Sequence, residues 1–211
     1  MLQARFHLIT ADPLRLAGVL KFIEAKVRPE TENRQGSLGM SLYANPELGV
    51  AVLESFWATH EVLLLNENRG LPDIGAALRH AAGTLCVERY RVPVFEWDWE
   101  GPLGLGAGLR LTWMDIEPSR VEDAVEAYGD TAVPELAETE GFCGSLLLTG
   151  RGTGHLISES IWRNPQALAA SRSAAATVRV EMVASTGCVI RAVDEYGLVF
   201  SSARKAWQEY S

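Results

Sequence analysis

Shifted against itself by 105 positions, the 211-residue chain aligns residues 5–57 with 110–162 without a gap. Twelve of the 53 aligned positions are identical: Arg5/Arg110, Pro13/Pro118, Arg15/Arg120, Pro29/Pro134, Glu30/Glu135, Gly36/Gly141, Gly39/Gly144, Leu42/Leu147, Gly49/Gly154, Glu54/Glu159, Ser55/Ser160 and Trp57/Trp162. Average residue usage would give about three by chance. Many matches fall on Gly, Pro and Trp, whose backbone or packing roles are specific. The repeat predicts a tandem duplication of one small domain, and every further expectation is set by it.

Between the copies, residues 101–108 read Gly-Pro-Leu-Gly-Leu-Gly-Ala-Gly, a linker by composition. The expected organisation is therefore copy one over 1–100, the linker over 101–108, copy two over 109–200 and a polar tail over 201–211 with one helical turn around Ala206 and Trp207. The glycine run does not read as a dinucleotide loop, which must follow a strand and open a helix, because Leu109 to Ile116 has the pattern of a strand.

Within each copy a short strand (Arg5 to Thr10 in the first) stops at Asp12-Pro13 or Glu117-Pro118, where a cap and a proline start a helix. Leu16, Leu20, Ile23 and Val27 recur at helical spacing, as do Val121, Ala124, Val125, Tyr128 and Leu136, with Pro29 and Pro134 expected to kink or interrupt the helix. After Gly36 and Gly141 come apolar runs over 38–43 and 143–149, turns around Gly49 and Gly154, and strands ending at Trp57 and Trp162, which together read as a hairpin. A second helix and a last strand, over 87–96 and 189–200, complete the order β-α-β-β-α-β. That is the ferredoxin-like split βαβ unit with helices on one sheet face. Strands such as Val50 to Phe56 are apolar on both faces, so the other face must also be covered, most simply by the second copy's sheet. The predicted fold is α+β: two tandem ferredoxin-like domains packed sheet to sheet as a barrel-like pseudo-dimer.

The Gly-Phe-Cys-Gly at 141–144, the strand closing on Trp162 and Asn164-Pro165-Gln166-Ala167-Leu168 resemble the antibiotic biosynthesis monooxygenase type of the dimeric α+β barrel superfamily. Copy one resembles it through Gly36-Ser37-Leu38-Gly39, which lacks the aromatic, through Trp57, and through Val87-Glu88-Arg89-Tyr90. The resemblance implies a pocket between helices and sheet. It also implies either cofactor-free oxygenation of polycyclic phenols, in which a base removes a phenolic proton and the anion reacts with dioxygen without metal or flavin, or haem degradation, or no catalysis. Fold likeness alone assigns none of these.

The candidate residues carry alternatives. Trp57 and Trp162 would either stack on a planar ligand or plug the gap between strand end and second helix. Glu54 and Glu159 share a strand face with Phe56 and Ile161, opposite the Trp, where each could act as a base of raised pKa or pair with Arg5 or Arg110. If alternate residues converge on one pocket, His7 and Glu54 are the candidate bases, with Tyr43, Tyr90, Trp57 and Trp162 positioning a small apolar or aromatic ligand. Drift on a solvent face would look the same. His80 is the one candidate for a haem ligand, while His60 and His155 read as surface or loop positions.

Nineteen Lys and Arg against 27 Asp and Glu give a net charge of −8, which excludes a phosphate-neutralising groove and with it a nucleic-acid partner. No apolar stretch approaches the roughly 20 residues that span a bilayer, so no membrane partner and a cytoplasmic location are expected. Cys86, Cys143 and Cys188 are widely spaced and lack a CxxC pattern, which suggests neither a disulfide framework nor a metal site. No cofactor is expected, and whether two chains associate further stays open.

Overall fold

In the computed structural model the described residues are 1–67, 74–97 and 103–203. The start of the glycine-rich linker, Gly101-Pro102, and the tail from residue 204, with its turn around Ala206 and Trp207, lie outside them. The chain is α+β, with the strands β1 (Gln3–Thr10), β2 (Ser37–Asn45), β3 (Val50–Trp57), β4 (Thr84–Trp97), β5 (Gly108–Asp115), β6 (Phe142–Gly150), β7 (His155–Trp162) and β8 (Val189–Ser201). In hydrogen-bonding order they run β1-β3-β2-β8-β5-β7-β6-β4 and close as a barrel. Helices α1 (Pro13–Phe22), α2 (Arg28–Glu32), α3 (His60–Glu67) and α4 (Ile74–His80) follow in the first repeat, and α5 (Val121–Ala127), α6 (Val133–Ala137), α7 (Pro165–Ala170) and α8 (Arg172–Thr186) in the second. No helix among the described residues is long and apolar enough to cross a membrane.

The repeat is kept residue by residue in three dimensions. β1, β2, β3 and the start of β4 recur 105 residues later as β5, β6, β7 and the start of β8. Gln3 pairs with Trp57 and Gly108 with Trp162 in the antiparallel ladders. Gly36 and Gly141 both have φ near +80°, a region that favours glycine, and a Cβ at either would lie within 2.4–2.5 Å of Val62 or Ala167, residues themselves 105 apart. Backbone contacts recur too: Ala11 N–H donates to Gly49 O and Ile116 N–H to Gly154 O, each at 2.8 Å.

The expected kink or interruption at Pro29 and Pro134 takes the form of a five-residue π-helical turn, Ile23–Val27 or Tyr128–Ala132, that breaks the regular α-helix just before each proline, which then sits in the first turn of α2 or α6. A proline lacks the N–H for the regular ladder and clashes with the carbonyl four residues back, and the wider π turn accommodates both defects.

Two compact units divide the chain: residues 1–89 with the stretch from Leu198, and residues 90–197. In the first, β3 is flanked by β1 and β2, and Ser202, just past β8, donates its N–H to Met40 O at 2.8 Å. Its core, including Ile9, Leu16, Val19, Ile23, Leu42 and Leu53, lies between this sheet and the helices. In the second, β7 is flanked by β5 and β6, β8 pairs with β5 from Val189 to Gly197, and the second half of β4 pairs with β6. Its core includes Met114, Tyr128, Leu136, Val178 and Met182.

Candidate functional site: a helix–sheet pocket in the second unit

Side chains alternate along a strand, so register decides what each can reach. In the second unit Arg110, Thr112 and Met114 of β5 and Ser158 and Ser160 of β7 turn to the helix side. With residues of the helices they line a small cavity of about 20 Å³, room for a single water. Tyr128 and Leu136 close one flank; Ala175, Val178, Arg179 and Met182 of α8 form the lid side. A larger hollow of about 140 Å³ shares Val178 and Met182 with it and is lined along α8 as far as Glu181 and Ser185. A mostly apolar wall with a few convergent polar groups is what a small-molecule site requires.

Two of the polar groups are committed to structure. Arg110 donates to Leu168 O at 2.7 Å, to Ser171 Oγ at 2.9 Å and to Glu195 Oε1 at 2.8 Å, so it closes the carboxyl end of α7 and holds the last strand. Tyr128 is hydrogen-bonded through its hydroxyl to Ser145 Oγ and donates to Glu159 O at 3.3 Å. Burial, and behind it the Glu159 charge, pushes its pKa far above the usual phenol range, although the Ser145 bond opposes the shift, so Tyr128 stays protonated. The guanidinium of Arg179 makes no hydrogen bond or ion pair among the described residues.

The anticipated residues are divided by the sheet. His7 pairs with Leu53 and faces the helices, whereas Glu54 pairs with Phe6 and Ser41 on the opposite face, which Tyr43 shares through its pairing with Val52. His7 and Glu54 therefore cannot act on one ligand together, which corrects the expectation of a single convergent group. Tyr90 belongs to the second unit, opposite Gly150 of β6. Trp57 and Trp162 are buried, and their indole N–H groups donate to Ser55 Oγ at 3.1 Å and Ser160 Oγ at 3.0 Å. Trp162 also packs edge-on against Phe142 at 5.7 Å and is not part of the cavity wall.

The pairing of Glu54 and Glu159 with Arg5 and Arg110 is overturned for the same reason of parity. Arg5 lies 3.7 Å from Glu67 and Arg110 binds Glu195. His80 is exposed at the end of α4, and its backbone carbonyl accepts from Arg15; His155 is exposed against Asp115 at 2.6 Å.

His7 is fully buried, and its Nδ1 lies 3.1 Å from Leu53 O, so Nδ1 carries the proton and Nε2 is left as a bare acceptor. Burial, then the charge of Arg5, depresses its pKa to about 3 against the weaker opposing effect of that carbonyl. Arg5 Nε, His7 Nε2 and Thr31 Oγ1 are all buried without a hydrogen bond among the described residues. Their counterparts 105 residues on are Arg110, Thr112 and Leu136, which line the second unit's cavity.

Sequence reasoning missed Thr112, Ser158 and Arg179. The usable signal was the pair of short hydroxyl residues Thr112 and Ser158 where copy one carries His7 and Leu53, a loss of volume at two facing positions of one sheet face.

No family model matches the chain. An anthrone oxidase-like protein superposes with a TM-score of 0.67 at 19% identity, covering 96% of this chain and 93% of that one. A proposed monooxygenase from Lactobacillus acidophilus NCFM gives 0.65 at 10% identity over 94% and 93%. The fold is that of the dimeric α+β barrel proteins. A haem-degrading enzyme from Listeria monocytogenes shares this barrel at a TM-score of 0.51 and 12% identity, covering 92% of this chain and 98% of that one. In sequence, an uncharacterised protein of Mycobacterium tuberculosis strain H37Rv is 27% identical over 205 residues, 97% of this chain and 86% of its own length. At these identities the solved structures of the dimeric α+β barrel group establish architecture, and chemistry has to come from the side chains.

Proposed function

We propose that this tandem barrel binds a small, largely apolar or aromatic molecule in the helix–sheet pocket of its second unit. The observation that carries the reading is the cavity walled by Met114, Leu136, Val178 and Met182 and furnished with the hydroxyls of Thr112 and Ser158, together with the larger hollow that shares Val178 and Met182 with it. None of the residues lining it is a histidine or a carboxylate, and Tyr128 holds its proton, so the pocket supports binding better than proton abstraction.

The test uses 2-naphthol as probe and the methyl resonances of Met114 and Met182 as reporters, with Met40 of the first unit as control. We expect 2-naphthol to shift Met114 and Met182 in the native protein. Thr112→His/Ser158→Leu installs the side chains that the first unit carries on the same backbone, and should abolish the shift while circular dichroism stays unchanged. Unmoved Met114 and Met182 signals at the probe's solubility limit would refute the reading.

A second reading, cofactor-independent monooxygenation of a phenolic substrate, draws support from the oxygenase names of the structural neighbours and from the bare Nε2 of His7 beside Arg5 and Thr31. In it His7 is the base, with Trp57 on the same sheet face; Glu54, with Tyr43, would serve a ligand on the other face, and Tyr90 and Trp162 fall to the second unit. The low proton affinity of His7 counts against it. Oxygen uptake with anthrone that is lost in His7→Leu would establish this reading, and uptake equal to the buffer blank would end it.

A further inference from the structure

We propose that the second unit's pocket selects organic carboxylates, with Arg179 receiving the carboxylate while the aromatic or aliphatic body lies against the methionines. This deepens the binding reading above and rests on it. The chain carries a net charge of −8, yet beside this pocket three guanidinium groups, Arg110, Arg172 and Arg179, surround the one carboxylate of Glu195. Two of the three are spent on that carboxylate: Arg110 reaches Oε1, and Arg172 spans both oxygens at 3.1 and 2.6 Å. Arg110 further satisfies Leu168 O and Ser171 Oγ.

Arg179 is the exception. It lines the cavity, is partly buried and has no hydrogen bond or ion pair among the described residues. Burial and the charge of Arg110 both work against its protonated form, with only Glu195 in its favour. A ligand anion relieves both penalties at once. One planar fork of donors matches a carboxylate in two parallel bonds. Of the other donors on the wall, Arg110 and Tyr128 are committed to protein partners and Thr112 and Ser158 offer neutral hydroxyls, so no second cation is free to meet a polyanion, and Met114, Leu136, Val178 and Met182 favour a ligand that carries its charge at one end only.

The full chain is titrated with 2-naphthoate and with 2-naphthamide, which has the same outline without the charge, again read from Met114 and Met182 with Met40 as control. We expect 2-naphthoate to bind at least tenfold more tightly. Arg179→Gln should bring the two dissociation constants together without weakening the amide, and Arg179→Lys should keep part of the preference. Equal affinities of acid and amide in the native protein, with the methionines shifted, would overturn the carboxylate proposal and leave the pocket standing. Silence of both methionines towards every probe would overturn the two together. Retention of the tenfold preference in Arg179→Gln would show that another group receives the charge and would also overturn the proposal.

Discussion

The two units use one backbone plan and fill it differently. Arg5 and Arg110, Ser55 and Ser160, and Trp57 and Trp162 are conserved between them on the helix side of the sheet, whereas His7 and Leu53 of the first become Thr112 and Ser158 in the second. Each exchange removes side-chain volume from a close-packed layer, and backbones anchored by identical glycine and tryptophan contacts do not collapse to refill it. In the second unit that space is a cavity; in the first, the buried ring of His7 occupies the corresponding strand position. Two facing positions of one sheet face thus differ in volume between the units while the strands around them keep their register.

The comparison is most severely tested at its shared anchor. Trp57→Ala and Trp162→Ala each remove a fully buried indole that is hydrogen-bonded to the serine two residues before it. Each should cost about 3–5 kcal/mol in urea denaturation. If one of them costs less than about 1 kcal/mol, the halves are not equivalent.

The arginines should separate the units more gently. Arg110 is 2% exposed and bonded to three partners, whereas Arg5 is 18% exposed and 3.7 Å from Glu67. Arg110→Met should destabilise by about 3 kcal/mol, because it strips a buried network of its donor. Arg5→Met should cost about 1 kcal/mol or less. Equal losses would mean that the two sites carry the same structural burden.

A pH dependence of stability should set the first unit apart. His7 titrates near pH 3 when folded and near the ordinary value of about 6.5 when unfolded. Between those values the unfolded chain binds a proton that the folded chain refuses, so this residue lowers stability as pH falls through that window. The slope reaches at most about 1.4 kcal/mol per pH unit. His7→Gln should flatten the thermal-midpoint profile between pH 6.5 and 4, and Thr112→Ser should leave it unchanged. An identical slope in His7→Gln would show that His7 is not held neutral.

Much of the architecture was legible before any coordinates. The 105-residue offset survives because glycines and tryptophans sit where only they fit: Gly49 and Gly154 leave no room for a Cβ against Ala11 O and Ile116 O. The β-α-β-β-α-β order and the hairpins ending on Trp57 and Trp162 follow from turn residues and periodicity, which are local properties. The site was legible only in part. The strand faces of Glu54 and Trp57 could be told apart within one strand, but His7 and Glu54 lie on different strands. Their relative face depends on the pairing of His7 with Leu53 rather than with Glu54. Arg179, one of several polar residues on α8, stood out only when its neighbours proved to be spent elsewhere.

By itself, the sequence determined that the chain is a duplication of a split βαβ unit, because backbone-restricted residues at a constant spacing dictate elements and turns without reference to distant contacts. Tertiary structure alone decided which side chains share a face, which charges are already matched and where volume is missing. Those depend on register and packing between segments far apart in the chain, where a shift of one residue turns every side chain to the other side of the sheet.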